Sequence, residues 1–272
     1  MKNRSVFERY LTVHRGLQPV TVSGYADAAR RITRVTGLYP TTCEAELFVE
    51  QLYLSQKSYS HKTNTVLALE HYLAFIGTPT RFGRQRKPRS IVKDTLTEAE
   101  VTALLISCRT LKEKAALTLL SYSGLRNKEF CNLRTRDFDP GRNLITVYRG
   151  KMLKDGISHV SAECTRIMLS YIAEYGKRPD DFLFTTYQRK QYSTGALRKL
   201  VTVVARRANI SKRVYPHLMR HSLAVNMLIR GADIVTLKNQ LRHSLIESTF
   251  HYLNSIALGE RNDYDRAAPS YV

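Results

Sequence analysis

The strongest constraint on the fold is a polar segment late in the chain, which alternates helical runs with turn signals. His217 and Arg220 are three residues apart, so their side chains share one face of a helix and can enter one pocket. Gly231 is typical of a helix end, and Asp233 is typical of the N-cap of the next helix. This pattern predicts a second helix that carries His243 back towards the same pocket.

A tyrosine, Tyr252, follows in the same segment. Ser244 is suited to cap a third short helix that carries Tyr252. A basic pocket that contains one presented phenol indicates phosphodiester chemistry with tyrosine as the nucleophile. Tyrosine is common in this chain, with 16 in total, so a single tyrosine carries little weight. The joint spacing of the four residues supports the hypothesis, whereas no one of them would do so alone.

Upstream motifs complete a resemblance to a known family. The sequence G-L-R-x-x-E-x-x-x-L contains Arg126 and Glu129, and a later polar turn contains Lys151. Together with the residues above, these motifs closely resemble the tyrosine recombinases, the integrase and Xer family. The resemblance covers nearly the whole chain and is strongest from residue 97 to residue 252. It implies a mainly α fold with a small β-sheet, built as a two-domain DNA clamp.

The charge of the chain agrees with a nucleic-acid partner. Among 272 residues, Lys+Arg number 43 and Asp+Glu number 23, and the resulting net charge of +20 favours double-stranded DNA. No apolar run approaches the roughly 20 residues of a membrane-spanning helix, so we expect no membrane role and a cytoplasmic, nucleoid-associated location. The four cysteines are scattered without a C-x-x-C pair. They predict small reduced core residues rather than a zinc site or a disulfide framework.

Residues 1–80 are predicted to form a domain of four or five helices. The apolar residues Val22, Tyr25, Ala29 and Ile32 recur at helical spacing and predict a buried stripe. This half resembles the family's core-binding (SAM-like) DNA-binding domain. Taken alone, it also fits a plain helical bundle with a basic surface.

Residues 81–94 form the predicted linker, because they combine many basic residues with Gly and Pro. A linker of this charge is suited to tracking a phosphate backbone, and it also fits an ordinary surface tether. Its candidate DNA contacts are Arg84, Arg86, Lys87 and Arg89.

Residues 95–258 form the predicted catalytic domain, which opens with the capping box T-x-x-E of Thr97 and Glu100. Helices are predicted at 97–107, 111–122, 161–174 and 194–207, and strands at 144–149 and 157–160. In the helix at 161–174, we expect Ile167, Leu169 and Ile172 in the core.

The resemblance implies that a lysine on the β-hairpin protonates the leaving oxygen. Lys151, directly after Gly150, fits this position; Lys154 is its rival and is also a candidate DNA contact. The hairpin departs from the commoner G-K-G-x-K-x-R form, because Met152 replaces the second Gly and no Arg ends it. An exposed hairpin lysine without a role is the alternative.

Two other segments carry candidate DNA contacts. The basic helix at 194–207 carries Arg198, Lys199 and Arg206 and suits a position in or across a DNA groove. Arg242 stands where the family usually has Gly in the sequence L-G-H. If that turn needs a positive φ, Arg carries a strain cost there; it also offers a further phosphate contact.

The resemblance implies a role for each site residue. Phosphodiester cleavage builds negative charge on the phosphate, and the sequence shows no acidic cluster arranged to hold Mg²⁺, so protein cations take over that task. We assign Tyr252 as nucleophile, His217 as proton acceptor, Lys151 as general acid, Arg126, Arg220 and His243 as phosphate donors, and Glu129 as a supporting residue. Attack by the tyrosine implies a 3′-phosphotyrosyl link and a free 5′-hydroxyl, with no metal, cofactor or ATP.

Residues 259–272 form a polar tail, which in the family docks on a neighbouring subunit and here also fits a frayed terminus. We therefore expect a homo-tetramer on two DNA sites, or a hetero-tetramer with a related recombinase. The expected function is site-specific DNA recombination for integration, excision or resolution, without an additional N-terminal arm-binding domain. The alternatives are a type IB topoisomerase-like relaxer and a catalytically silent sequence-specific DNA-binding protein.

Overall fold

Helices make up most of the secondary structure in a computed structural model that describes residues 5–86, 94–148, 156–188 and 190–242. The chain divides into two compact units, Met1–Ser90 and Ile91–Val272. The helices are α1 (Val6–Val13), α2 (Pro19–Thr36), α3 (Thr42–Leu54), α4 (Tyr59–Phe75), α5 (Glu98–Ile106), α6 (Leu111–Ser123), α7 (Asn127–Asn132), α8 (Ala162–Glu174), α9 (Thr194–Arg207), α10 (Pro216–Ile229) and α11 (Ile234–Leu241). The strands are β1 (Phe138–Asp139), β2 (Leu144–Val147) and β3 (Gly156–His159). Within the described ranges, no helix is both long and apolar enough to cross a bilayer.

The N-terminal unit is held together by the apolar faces of α1 to α4. In the predicted stripe on α2, Val22, Ala29 and Ile32 are buried as expected, and Tyr25 is half-buried. They pack in two clusters with residues of α4 such as Leu69. Helix starts are fixed by capping side chains, which satisfy backbone N–H groups that have no partner within the helix.

The first residues of the predicted linker are packed against the N-terminal unit. The Phe82 backbone N–H donates to the Glu70 carboxylate at 2.8 Å, and the Arg84 guanidinium donates to both oxygens of the same carboxylate at 2.9 and 2.7 Å. The Tyr53 hydroxyl donates to the Gly83 carbonyl at 2.6 Å. The segment 81–86 is therefore anchored to α3 and α4 of the N-terminal unit. The predicted domain boundaries, at residues 80 and 94, stay a prediction.

A three-stranded antiparallel sheet lies in the catalytic unit, in the order β1-β2-β3. The two predicted strands are present, with β2 pairing Ile145 against Ser158 of β3. Strand β1 was not predicted, because its two residues lie directly in front of the turn at Pro140 and are too short to show an alternating pattern.

Helix α6 passes through the centre of the catalytic core and packs against α8. The buried residues of α8 are Cys164, Thr165, Met168 and Tyr171. The prediction that Leu169 belongs to the core is wrong, because its side chain is 45% exposed. The apolar residues of this helix lie on two neighbouring faces. The face that carries Cys164, Met168 and Tyr171 is buried, and Leu169 lies outside it.

The four cysteines are free thiols. Cys131 and Cys164 are buried, as expected, and burial raises the pKa of the Cys131 thiol to about 11. The prediction of a core position is wrong for Cys43, which is exposed near the start of α3.

Candidate active site

The site is built around a glycine turn at the end of α6. Gly124 has φ +59°, a left-handed conformation that favours glycine. A Cβ at this position would lie 2.8 Å from Cδ2 of Leu241 and 3.1 Å from Cδ2 of Leu223. The carbonyl oxygen of Gly124 accepts a hydrogen bond from the Arg220 guanidinium and a longer one, at 3.5 Å, from the Arg242 guanidinium. The turn therefore orients two cations that lie far along the chain.

Arg126 follows this turn and is the N-cap residue of α7. The Glu129 carboxylate accepts a hydrogen bond from the Arg126 backbone N–H at 2.8 Å and from its guanidinium at 2.6 Å. One carboxylate thus fixes both the start of the helix and the position of the arginine side chain. The sequence alone allows either a surface ion pair or a supporting role for Glu129. Its side chain is mostly buried, which favours the supporting role.

Arg220 lies on the first turns of α10 and is only 1% exposed. Its guanidinium donates to the backbone carbonyls of Gly124 and, at 2.5 Å, Leu241. These two partners are neutral, so they orient the guanidinium without cancelling its charge. Arg220 is therefore a buried, oriented cation, and its contact with a phosphate stays a prediction.

His217 lies one turn before Arg220 and is exposed. The prediction that the two share a helix is confirmed, since α10 begins at Pro216 and contains both. His221, which is close to His217 in sequence, is buried. Exposure on the first turn suits His217, rather than His221, to exchange a proton with a substrate.

Arg242 caps the C-terminal end of α11 in the left-handed conformation, with φ 54° and ψ 45°. The predicted positive φ is therefore present. Its side chain, however, is only 10% exposed and donates to Glu129 at 2.9 Å and to the Gln240 carbonyl at 3.0 Å. The structure does not support the predicted phosphate contact of Arg242, because its side chain is mostly buried and already paired. The buried carboxylate attracts the guanidinium inwards.

Glu129 accepts hydrogen bonds from two arginines and has an altered acidity. Burial acts to raise the pKa of its carboxyl group, but the charge of Arg242 and the hydrogen bonds from Arg126 outweigh burial and hold that pKa below its ordinary value. Burial acts to lower the pKa of Arg242, and the neighbouring Glu129 opposes this effect. The carboxylate is therefore ionised and fully engaged at neutral pH.

Gln240 is a supporting residue that was not predicted from the sequence. Its amide nitrogen donates to the carbonyls of Tyr122 and His159 at 3.0 and 2.8 Å, and its amide oxygen accepts from the His159 backbone N–H at 3.0 Å. It joins the end of α6, β3 and α11 around the site. A polar residue on the buried face of α11, beside Leu237 and Leu241, was the available signal.

The remaining candidates have different surroundings. Arg86, Arg198, Lys199 and Arg206 are exposed. Arg84 is bound to Glu70, so the prediction that it contacts DNA is not supported. Helix α11 ends at Leu241, before His243. Lys87, Arg89, Lys151, Lys154, His243 and Tyr252 lie outside the residues that the structure describes.

The family model of the phage integrase family matches residues 94–257, which is more than half of the chain. The chain belongs to this family. Its members among the curated relatives are tyrosine recombinases, and the chain is similar to them over most of its length. Membership of this family confirms the expected enzyme class, which is DNA strand cleavage and rejoining.

Two relatives illustrate the sequence similarity. Tyrosine recombinase XerA of Thermococcus onnurineus is 31% identical over 258 residues, which span 90% of this chain and 88% of the relative. Tyrosine recombinase XerA of Pyrococcus furiosus is 30% identical over 240 residues, which span 85% and 82%.

Solved structures of tyrosine recombinases share the fold. The Tn1549 transposon integrase in complex with transposon right end DNA has a TM-score of 0.72 at 17% identity, covering 97% of this chain and 98% of that chain. The XerA recombinase has a TM-score of 0.60 at 24% identity, covering 97% of both chains. The predicted fold class, mainly α with a small β-sheet, is confirmed.

Proposed function

We propose that this tyrosine recombinase cleaves and rejoins DNA at specific sites with Tyr252 as its nucleophile. The observation that carries the proposal is the convergence of Arg126, Arg220 and their supporting groups on the turn at Gly124. Guanidinium groups suit this task because they donate two hydrogen bonds to a phosphate and stay charged. Groups that are already oriented lose little free energy when charge develops on the phosphate.

In the proposed reaction, the Tyr252 oxygen attacks the phosphorus and the bond to the 5′ oxygen of the leaving strand breaks. His217 accepts the phenol proton, and Lys151 donates a proton to the leaving oxygen. Arg126, Arg220 and His243 bind the non-bridging oxygens. The products are a 3′-phosphotyrosyl link and a 5′-hydroxyl. A 5′-hydroxyl from another strand reverses the step, so the linkage retains the bond energy and ATP is not required.

The proposed substrate is double-stranded DNA. The Tn1549 integrase structure contains transposon right end DNA, and the XerH structure is a post-cleavage complex with a palindromic difH substrate. In this chain, a net charge of +20 and the exposed cations Arg198, Lys199 and Arg206 on α9 support the same partner. Action on DNA agrees with the expected cytoplasmic, nucleoid-associated location.

The proposed assembly is a tetramer on two DNA sites, either of one chain or with a related recombinase. Joining of strands from two duplexes requires two sites to be held together, which a monomer on one site cannot do. Analytical ultracentrifugation of the full chain with a duplex that carries its site would test this. We expect four protein chains and two duplexes per complex; one chain per duplex under cleaving conditions would contradict the assembly.

Mapping of covalent adducts tests the function and identifies the target sequence in the same experiment. DNA with covalently attached protein would be isolated from cells that express the chain, and the attached 3′ ends would be sequenced. Tyr252→Phe should abolish adducts, whereas Tyr264→Phe, a nearby tyrosine outside the motif, should retain them. We expect adducts at a few defined sequences.

Other outcomes separate the alternatives. Scattered adducts, with relaxed circular DNA as the product, would replace recombination with a topoisomerase-like activity. DNA occupancy without any adduct would indicate a silent binding protein. Adducts that persist in Tyr252→Phe would contradict the choice of nucleophile.

A further inference from the structure

Strand β3 has an outer edge, and one side chain of α11 binds it. The sheet order β1-β2-β3 leaves the far side of β3 without a neighbouring strand among the described residues. An edge strand presents backbone N–H and C=O groups that have no partner in the sheet. At His159 the Gln240 carboxamide supplies both partners, since its oxygen accepts from the N–H at 3.0 Å and its nitrogen donates to the C=O at 2.8 Å. Gln240 therefore pairs with β3 as a neighbouring strand would.

The other contacts of Gln240 tie the same strand to the end of α6. The Gln240 side chain is buried, and its nitrogen also donates to the Tyr122 carbonyl at 3.0 Å and to the Ser158 hydroxyl at 3.2 Å. The Ser158 hydroxyl in turn donates to the Ser123 carbonyl. A buried polar network whose members are hydrogen-bonded makes its surroundings rigid. Strand β3 is therefore fixed to the residues directly before the turn at Gly124.

The two residues that follow Gln240 contact the groups that are proposed to bind the phosphate. The Leu241 carbonyl accepts a hydrogen bond from the Arg220 guanidinium at 2.5 Å. The Arg242 guanidinium donates to the Glu129 carboxylate at 2.9 Å, and the same carboxylate binds Arg126. Three consecutive residues at the end of α11 therefore connect β3 with both arginines. A shift of β3 relative to α11 would change the spacing between the strand and these cations.

Strand β3 bears on the chemistry through the part of the chain that precedes it. The described pairing of β2 with β3 ends at Val147 and Gly156. Lys151 and its rival Lys154 both belong to the connection between these two residues. Whichever lysine donates the proton, its connection starts and ends on the paired strands. The place of those strands relative to the two arginines therefore affects proton transfer to the leaving oxygen.

We propose that Gln240 is a positioning residue for this proton transfer. It holds β3, and with it the hairpin that carries the general acid, at a fixed place relative to Arg220. This inference rests on the proposed function, because it names what positions the general acid in the same cleavage step. Arg126 and Arg220 keep partners of their own at Glu129 and Gly124. Loss of the Gln240 amide should therefore impair protonation of the leaving oxygen and leave DNA affinity unchanged.

A substrate that needs no general acid tests the proposal. The 5′ oxygen at the mapped cleavage position would be replaced by sulfur in a synthetic duplex. An alcohol needs a proton in order to leave, whereas a thiol is much more acidic and leaves as the thiolate. The rate of adduct formation at saturating duplex would be measured on the oxygen and the sulfur substrate. The proteins are the unchanged chain and Gln240→Leu, which removes the amide and keeps a side chain of similar length.

The expected result is a defect that depends on the leaving group. Gln240→Leu should cleave the oxygen substrate about 10- to 100-fold more slowly, since a misplacement of about 1 Å can cost about 100-fold. It should cleave the sulfur substrate at nearly the rate of the unchanged chain. Arg126→Gln should be slow on both substrates, because sulfur does not replace a phosphate contact. Asn239→Leu, the matched change at the exposed neighbour on α11, should leave both rates unchanged.

Two results would overturn the proposal. One is a Gln240→Leu chain that is equally slow on both substrates, and the other is one that cleaves the oxygen substrate at the original rate. If Gln240→Leu does not fold, Ser158→Ala makes a smaller change in the same link. It should slow cleavage of the oxygen substrate and recover on the sulfur substrate, and the absence of this pattern would also overturn the proposal.

Failure of the proposed function is a separate outcome. In that case the unchanged chain forms no adduct with either substrate, and the role of Gln240 is lost with it. Adducts from the unchanged chain, combined with a defect in Gln240→Leu that sulfur does not relieve, would contradict the inference and leave the proposed function in place.

Discussion

The two units of this recombinase bury polar groups very differently. Among the described residues of the N-terminal unit, the buried polar side chain is Thr65. In the catalytic unit the buried polar or charged side chains are Thr118, Ser123, Asp137, Ser158, Thr165, Arg220, His221, Ser222 and Gln240. A buried polar group costs free energy unless it is hydrogen-bonded. The catalytic unit therefore depends on internal hydrogen bonds to keep these groups buried, and those of Ser158, Arg220 and Gln240 lie around the end of α6 and Gly124.

The arginines of the two units show the same contrast. In the N-terminal unit, Arg30 pairs with Asp27 at the surface, where a salt bridge contributes little to stability. In the catalytic unit, Arg220 is buried and bound to backbone carbonyls. Surface arginines of the first kind tolerate change, whereas a buried arginine cannot be removed without leaving its partners unsatisfied.

The largest expected effect follows from removing the buried arginine. Arg220→Met leaves the carbonyls of Gly124 and Leu241 without these donors, which should destabilise the catalytic unit by about 2–5 kcal/mol. The shift in its urea unfolding midpoint would measure this. Arg30→Met is the matched change in the N-terminal unit and should cost no more than about 0.5 kcal/mol. Equal losses in both variants would contradict the contrast between the units.

Glycines at positive φ provide the next comparison. Gly124→Ala combines an unfavourable backbone conformation with a Cβ 2.8 Å from Leu241, so we expect a loss of about 2–4 kcal/mol. Gly16, in the N-terminal unit, has φ +62° and open space around its Cβ position. Gly16→Ala should therefore lose only about 1–2 kcal/mol from backbone strain. Thermal unfolding would measure both, and a Gly124→Ala loss no greater than that of Gly16→Ala would mean that the turn is not tightly packed.

Acid should weaken the site through Glu129, whose pKa lies below the ordinary value of 4.5. A lowered pKa in the folded state contributes stability above pH 4.5, and this contribution is lost as the pH falls through the lowered value. Glu129→Gln should reduce the stability at pH 7 and flatten its fall between about pH 5 and pH 3. Unfolding temperatures across this range would measure the effect. A fall as steep in Glu129→Gln as in the unchanged chain would place the acid-sensitive group elsewhere.

The smallest expected effect concerns DNA affinity at the anchored segment 81–86. Arg84 and Arg86 are both exposed, and the Arg84 guanidinium is bound to the Glu70 carboxylate. A phosphate contact contributes about 0.9 to the slope of log affinity against log salt concentration. We expect Arg86→Gln to lower the slope by about that amount and Arg84→Gln to leave it unchanged. The reverse result would show that Arg84 leaves Glu70 to bind DNA.

Local signals predicted much of the fold. The capping box at Thr97, the glycine turn at Gly124 and the helix start at Asp233 follow from short-range hydrogen bonding, and the structure contains all three. Prediction was wrong for Leu169, because its orientation depends on which face of α8 packs against α6. Such a choice depends on tertiary packing, which periodicity alone does not specify.

Several residues of the candidate site could be predicted from the sequence, but the contacts between them could not. The motifs around Arg126 and Arg220 identified two arginines, and the unusual Arg242 drew attention by its departure from a pattern. The ion pair between Arg242 and Glu129 joins residues 113 positions apart, so no local rule could find it. Gln240 was not predicted for the same reason, because its hydrogen-bond partner His159 is 81 positions away.

The carbonyl of Gly124 also has a consequence for the time at which the enzyme becomes active. It binds Arg220 across 96 positions of sequence and Arg242 across 118. Contacts over such separations form late, because the chain between them must first be ordered. A growing polypeptide that has emerged only past Gly124 holds neither arginine. The proposed site therefore cannot assemble until synthesis of the catalytic unit is nearly finished, and an incomplete chain without these arginines would not cleave DNA by the proposed mechanism.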